Sequence, residues 1–294
     1  MSRVLISDNL SPKAVDIFRN RGIDVDMCPG LSAKELASQM GKYHGLAVRS
    51  STKVTSDILA AGKELRVVGR AGIGVDNIDV SAATERGIVV MNTPYGNSTT
   101  TAEHAIALLM ALARKIPQAD RSTQEGNWDK SRFMGVEIAG KTLGLIGCGN
   151  VGSIVAERAQ ALKMRVLVYD PYLTNERAED LGVERIELDS LLGRANFVSL
   201  HTPLNDATRD MIDAKALAKM QRGVRIINCA RGGLVKEHDL KNAITSGHVA
   251  GAALDVFAVE PAVENELFGL PEIITTPRLG AATSEAQDNV AVQL

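Results

Sequence analysis

The chain has 294 residues, 45% hydrophobic and 23% charged, which suits one large or two ordinary domains and excludes a disordered chain. Lys and Arg number 33 against 35 Asp and Glu, and a net charge of −2 supplies no global field for nucleic acid or an anionic membrane. Three scattered cysteines, Cys28, Cys148 and Cys229, lack metal-ligand spacing and read as reduced thiols, so no metal is expected and the expected compartment is the cytoplasm. The first ten residues contain Asp8 and no long apolar core, unlike a secretory leader, and the best apolar run, 105–113, is about half a membrane span.

Taken in order, the first hundred residues alternate in kind. A strand at Arg3–Ile6 is followed by a helix begun by Ser11 and Pro12, with Ala14, Val15, Ile17 and Phe18 inward. A strand is expected at 23–27, a helix at 32–40 and a buried strand at 45–48 that ends in Arg49-Ser50. A helix at 55–61 and a buried strand at 65–69 lead to Arg70; a short helix at 81–86 and a strand at 88–91 close the series. Repeated βα alternation predicts a parallel sheet with helices on both faces. The turn-rich 92–97 marks a domain crossing. The helix expected at 98–115 is too apolar to keep a free face, so it packs between domains or against a second subunit. Residues 117–140, with the only tryptophan, Trp128, show little periodicity and read as an arm. A second α/β unit runs over 141–280. A last helix starts at Ser284, spaced with Gln287 as a capping box, and reaches Leu294 without a glycine stop, so the chain is expected to continue.

The second unit opens with the most informative stretch. Leu143 to Ile146 is a short apolar run, and Gly147, Gly149 and Gly152 then complete G-x-G-x-x-G. In such a loop the first glycine permits the tight turn, the second admits a pyrophosphate, and the third lets the next helix pack on the strand. A helix from Asn150 and Val151 aims its free N–H groups at the phosphates. The next apolar run, 165–169, ends in Asp170, 21 positions after Gly149, the distance at which an acid meets the adenosine ribose. A glycine turn alone is often only structural; strand, turn, helix, strand and acid in order argue for dinucleotide binding. The Asp170 carboxylate accepts from two ribose hydroxyls and repels a 2′-phosphate, which favours NAD over NADP.

In open parallel sheets, ligands bind beyond the carboxyl ends of the strands. After 197–200 comes His201-Thr202-Pro203, and after 224–227 comes Asn228-Cys229-Ala230-Arg231-Gly232-Gly233. After 250–254 come Asp255 and then Glu260, and after 273–274 comes Thr275-Thr276-Pro277-Arg278-Leu279-Gly280-Ala281. Polar and charged groups thus gather at one edge of the sheet. Arg49 and Arg70 also follow buried strands, where a dianionic ligand needs cations; for them, and for Lys53, a solvated basic surface is the alternative.

These strand ends, together with 69–79 and 91–94, resemble the D-isomer-specific 2-hydroxyacid dehydrogenases over nearly the whole chain. The resemblance implies an α/β fold of two doubly wound, Rossmann-like parallel-sheet domains. A substrate domain, 1–96 with 284–294, would surround an inserted NAD domain, 97–283. The implied activity is NAD-dependent oxidation of a small phosphorylated 2-hydroxy acid by a homodimer or higher homo-oligomer. Alternatives are a related reductase of glyoxylate, hydroxypyruvate or another 2-keto acid, and a catalytically impaired NAD-binding protein.

By resemblance, Arg231 holds the substrate carboxylate and polarises the C2 oxygen, and Glu260 supports the catalytic histidine. That histidine is missing: the family's Pro-His-Leu-Gly-Ala reads Pro277-Arg278-Leu279-Gly280-Ala281 here. A guanidinium does not deprotonate in proteins, so Arg278 is expected to pair with Glu260 and not to act as a base. His44, His104, His238 and His248 lie elsewhere in the pattern, and His201 reads as a cofactor-loop residue. The resemblance assigns Asn150, Val151, Asp170, Thr202, Cys229, Ala230, Asp255 and Gly280 to the cofactor, with Ile73 near the nicotinamide. It assigns Arg49, Ser50, Lys53, Arg70, Gly72 and Gly74 to the substrate, and has Arg132 reach the partner subunit's site.

Overall fold

The computed structural model describes residues 2–294 and has two compact units: residues up to Ser98 together with Ala281–Leu294, and Thr99–Gly280. Both are α/β with wholly parallel sheets, as expected from the alternation.

The smaller unit contains β1 (Arg3–Ile6), α1 (Pro12–Asn20), β2 (Asp24–Met27), α2 (Ala33–Gln39), β3 (Gly45–Val48), α3 (Ser56–Ala61), β4 (Val67–Arg70), α4 (Val80–Glu85) and β5 (Val89–Asn92). Its five strands run β2-β1-β3-β4-β5, so the strand order reverses between β1 and β3. Ser11 and Pro12 start α1 as the sequence implies, the hydroxyl accepting from Lys13 N at 3.4 Å. At α2 Ser32 and Glu35 close a full capping box, with Glu35 N donating to Ser32 Oγ at 3.3 Å and Ser32 N to Glu35 Oε2 at 2.8 Å.

The larger unit is entered by α5 (Ser98–Arg114). It continues with α6 (Ile116–Gln124), β6 (Thr142–Ile146), α7 (Asn150–Ala161), β7 (Arg165–Tyr169), α8 (Asn175–Asp180), β8 (Glu184–Arg185) and α9 (Leu188–Arg194). There follow β9 (Phe197–Leu200), α10 (Ala214–Lys219), β10 (Val224–Asn228), α11 (Glu237–Thr245), β11 (Val249–Leu254) and β12 (Ile273–Thr275). The sheet order β12-β11-β10-β9-β6-β7-β8 reverses between β6 and β9. Strand alternation divides the core: Leu143, Leu145, Val166 and Val168 pack with α5 and α7, whereas Ile146 and Leu167 face the opposite side with Leu191 and Leu192. Along α5, Ala102, Ala105, Leu109, Leu112 and Ala113 are buried, and a narrow strip at Glu103 and Ala107 is exposed.

Two local expectations need correction, and one short strand is not marked in the sequence. The arm 117–140 begins as a helix, α6, with Pro117 in its first turn, and contains a 3₁₀ turn at Lys130–Phe133. Ser122 is the only fully buried residue of α6, so no apolar stripe marks it in the sequence. The final helix α12 (Ser284–Gln293) is capped one residue earlier than expected, by Thr283, whose Oγ1 accepts from Ala286 N at 3.1 Å; Ser284 is its first helical residue. Strand β8 has two exposed charged residues and no apolar signal.

Candidate active site

In the larger unit the loop after β6 leaves the sheet beside β9, at the reversal of strand order. Gly147 adopts φ +96°, and a Cβ there would stand 2.5 Å from His201 O. A Cβ on Gly152 would meet Gly147 O at 2.3 Å, so α7 packs directly on the loop. Around Gly149, by contrast, a Cβ would find nothing within 4 Å. This glycine is also the N-cap of α7 and provides no side-chain cap. The loop is therefore tight where the backbone crosses itself and open where a pyrophosphate has to approach, in front of the free N–H groups of a helix. Asp170, directly after β7, is held in place: Oδ2 accepts from Cys148 N at 2.7 Å and Oδ1 from Tyr172 N at 2.8 Å. Asn150 and Val151 form the first turn of α7, and Thr202 lies under Gly147, its amide nitrogen 3.1 Å from a Cβ built there. This donor set and the open space at Gly149 fit a dinucleotide.

The ends of β10, β11 and β12 converge in the same unit. Asn228 shapes the turn that carries Cys229, Ala230 and Arg231: its Oδ1 accepts from Ala230 N at 3.0 Å and its Nδ2 donates to Arg231 O at 2.9 Å. Arg231 Nη1 donates to Ala230 O at 2.7 Å. Gly232 follows because a Cβ there would overlap Phe257 O at 1.7 Å. Asp255, 1% exposed, accepts from Thr276 Oγ1 at 2.5 Å, Leu279 N at 2.7 Å and Gly280 N at 2.8 Å. His104 Nε2 lies 3.2 Å from both Asp255 Oδ1 and Thr276 Oγ1. Burial alone would raise the Asp255 carboxyl, but the bonds from His104, Thr276, Leu279 and Gly280 outweigh it and hold the group below its usual range. His104 was not singled out from the sequence. It stands in the middle of α5, and only the fold brings it to Asp255.

The corner that carries Arg278 is tightly turned. Arg278 N donates to Thr276 O at 3.0 Å across Pro277, and Arg278 sits at φ +59°, a region sparsely populated by residues other than glycine. Its Nη1 is paired with Glu260 Oε2, while Glu260 Oε1 accepts from Phe257 N at 3.1 Å. The ion pair expected between Arg278 and Glu260 is present. His201 offers no substitute imidazole: burial brings its pKa down to about 4, and Nε2 is 2.9 Å from Ser199 Oγ. The thiols are equally unsuited. Burial, and then the charge of Asp170, push Cys148 up to about 11; burial, and then Asp255, push Cys229 up as well.

In the smaller unit, Asp8 follows β1 and Arg49 follows β3, again where the strand order reverses. The buried Asp8 carboxylate accepts from Arg49 N at 2.5 Å, Thr52 N at 3.2 Å and Thr52 Oγ1 at 2.8 Å. Asn77 Nδ2 donates to the carbonyls of Arg49 and Thr52, both at 2.6 Å. The loop is thus clamped from both sides, with Ser50 and Lys53 exposed on it. Arg70 ends β4 and is 8% exposed; a Cβ on Gly72 would lie 1.8 Å from its Nη1, so the guanidinium covers that glycine. Ile73 and Gly74 continue this loop, with Ile73 O accepting from Asn92 Nδ2 at 2.6 Å. Asp8 and Asn77 are missed by a reading that follows charged residues at strand ends, since both act through the backbone. Arg132 lies in the larger unit on the 3₁₀ turn, its guanidinium 5.6 Å from the centre of the Phe133 ring. Among the described residues no group of side chains has the composition of a metal site, and no helix is long and apolar enough to cross a membrane.

Residues 106–280 match the family description "D-isomer specific 2-hydroxyacid dehydrogenase, NAD binding domain". The D-3-phosphoglycerate dehydrogenase of Archaeoglobus fulgidus is 48% identical over 291 residues, 99% of this chain and 55% of that protein. The protein of the same name from Synechocystis is 47% identical over 294 residues, 100% of this chain and 53% of its own length. The chain thus spans about half the length of the curated relatives it matches. Among solved structures, the TT0316 protein of Thermus thermophilus is 34% identical with a TM-score of 0.90, covering 99% of this chain and 94% of that one. A glyoxylate reductase from Paecilomyes thermophila is 30% identical with a TM-score of 0.91, covering 99% and 92%. By the glycine loop with its anchored acid, the polar strand ends and these similarities, the chain belongs to the D-isomer specific 2-hydroxyacid dehydrogenases and carries that family's NAD-binding domain.

Proposed function

We propose that this chain is the catalytic part of a cytoplasmic D-3-phosphoglycerate dehydrogenase, which oxidises 3-phospho-D-glycerate to 3-phosphohydroxypyruvate on the way to serine. We further propose that Arg278 impairs its turnover. The observation that carries the substrate is the similarity to phosphoglycerate dehydrogenases along almost every residue of the chain. NAD, when bound, accepts the hydride from C2. Arg231 holds the substrate carboxylate in its planar fork and draws charge toward the C2 oxygen as the carbonyl forms. Arg49, Ser50, Lys53, Arg70 and the backbone of Gly72 and Gly74 supply the positive charge and donors that a phosphate and a carboxylate require.

As hydride leaves C2, the hydroxyl proton needs an acceptor. Glu260 would support an imidazole there, but its carboxylate is committed to Arg278. A guanidinium cannot serve as a proton acceptor, and loss of a positioned base costs about 10²–10⁴-fold in rate. In this reading cofactor binding survives while turnover falls. The enzyme is a homodimer joined through α5 and the arm around Trp128, whose side chain is 87% exposed; Arg132 then serves the partner subunit's site.

NADH formation from 3-phosphoglycerate at alkaline pH, run beside an NAD titration, tests the assignment. The expected result is normal NAD affinity with slow turnover, and slower turnover still on unphosphorylated 2-hydroxy acids. Arg278→His is expected to raise kcat by about 10²–10⁴-fold and leave the NAD dissociation constant unchanged within about twofold. A variant with no gain at saturating substrate would show that another group takes the proton. Preference for an unphosphorylated acid would reassign the enzyme to the 2-keto acid reductases. Sedimentation of the same sample should show a dimer; a monomer at micromolar concentration would remove the role given to Arg132.

A further inference from the structure

The strap between β11 and β12, residues 255–272, carries Glu260 and is tied to α11 by the carboxylate of Glu237. Glu237 is the first residue of α11, where an acid ordinarily serves its own helix by facing the free amides of the first turn. Here both oxygens turn away from the helix. Oε1 accepts from Ala258 N and Oε2 from Asn265 Nδ2, each at 2.7 Å, so the two bonds fall on either side of Glu260 in the chain. Asn265 is itself locked, its Oδ1 accepting from Leu267 N at 3.0 Å. Glu266 offers a second tie to α11, 3.1 Å from His238 Nδ1 and 3.7 Å from Lys241 Nζ. All three of those side chains reach solvent, and such pairs hold little.

The bond to Ala258 sets the direction of a peptide that touches the Arg231 turn. The Phe257–Ala258 peptide presents its carbonyl to Gly232, where a Cβ would stand 1.7 Å from Phe257 O, and its N–H to Glu237. A peptide is planar, so an acceptor that fixes the N–H also fixes the carbonyl. Gly232 directly follows Arg231, and Phe257 N donates to Glu260 Oε1 at 3.1 Å. One stretch of backbone thus abuts the neighbour of the arginine and also holds the glutamate. Glu237 reaches across 21 positions to orient it. As a charged acceptor it makes each bond about twice as strong as a neutral one would.

We propose that Glu237 is a positioning residue of the candidate active site: through the Phe257–Ala258 peptide and Asn265 it fixes where Glu260 stands relative to Arg231. The inference rests on the roles given above to Arg231 and Glu260. An exchange of donor and acceptor tests it. Glu237→Gln turns an amide donor toward Asn265 Nδ2, and Asn265→Asp sets two carboxylates against each other. The double variant restores the bond in reverse, the new amide donating to the new carboxylate, while Ala258 N and Leu267 N keep their acceptors. In calorimetric titration of the NADH-saturated chain with 3-phosphoglycerate, each single variant should bind about tenfold more weakly and the double variant within about threefold of the parent. NADH affinity should stay constant throughout. A second readout separates positioning from loss of stability. Glu260 raises the pKa of the imidazole that Arg278→His introduces, so adding Glu237→Gln should move the midpoint of the kcat/KM profile to lower pH. Single variants that bind the acid like the parent overturn the proposal, as does a double variant no better than the singles or a pH midpoint that stays in place. A parallel loss of NADH affinity does so too, since Glu237 would then act on the unit as a whole. Where the parent prefers an unphosphorylated 2-hydroxy acid, the phosphoglycerate assignment falls, and the same four proteins titrated with that acid decide on Glu237 by the same criteria.

Discussion

The two places where strand order reverses, β1/β3 in the smaller unit and β6/β9 in the larger, have the same topology and opposite contents. Ligands favour such crevices because neighbouring loops part there. At β6/β9 glycines leave the crevice empty: Gly149 has open space before it, and the acid Asp170 stands at the side, anchored to the loop through Cys148 N. At β1/β3 the crevice is filled by the protein. Asp8 takes up the amides and hydroxyl of the Arg49–Thr52 loop, and Ser7 Oγ lies 3.0 Å from Thr52 Oγ1. The same backbone arrangement therefore serves one unit as a receptacle and the other as a clamp that fixes a basic loop. Topology sets where a ligand can come, and the side chain after the first strand decides whether there is room for one.

That contrast can be broken most strongly at Gly152. Gly152→Val puts a branched side chain where a Cβ alone meets Gly147 O at 2.3 Å, forcing α7 off the loop. Overpacking of this kind costs roughly 1–3 kcal/mol, so NAD affinity should fall by up to about 10²-fold. A dissociation constant within threefold of the parent would mean the loop does not need this contact. The counterpart at the clamp is Asp8→Ala, which strands two amides and a hydroxyl. It is expected to lower stability by about 2–3 kcal/mol in urea unfolding and to raise KM for the phosphorylated acid. NAD affinity should not move, and a parallel loss of NAD binding would end the separation of the two crevices.

The smallest effect is expected from Asp170→Ala. Removing one carboxylate that accepts from ribose hydroxyls should weaken NAD about tenfold, and NADP much less, because the repulsion of a 2′-phosphate goes with it. Equal affinity for the two cofactors in the unaltered protein would show that Asp170 does not select. Asp170 also bonds Cys148 N and Tyr172 N, so the Asp170→Asn variant, which keeps an acceptor, separates the loss of charge from the loosening of the loop.

What could be read without coordinates was whatever lies within one βαβ unit or directly after a strand. Gly147, Gly149, Gly152 and Asp170 are spaced by the geometry of a strand, a turn and a helix, so counting along the chain recovers their placement. Arg231, Asp255 and Arg278 were legible because each follows an apolar run, whereas the pairing of Arg278 with Glu260 was expected only through the family resemblance, since Glu260 before Pro261 reads by itself as an ordinary loop carboxylate. Helix α6 escaped because it buries almost nothing, and periodicity in a sequence records only burial. Asp8, Asn77 and His104 escaped for a different reason. Asp8 reaches a loop 41 positions away, Asn77 one 28 positions away, and His104 meets Thr276 across 172. Local spacing sets which backbone is offered to a ligand, because one element's geometry depends only on its own residues. Only packing between elements distant in the chain decides which side chains surround that backbone.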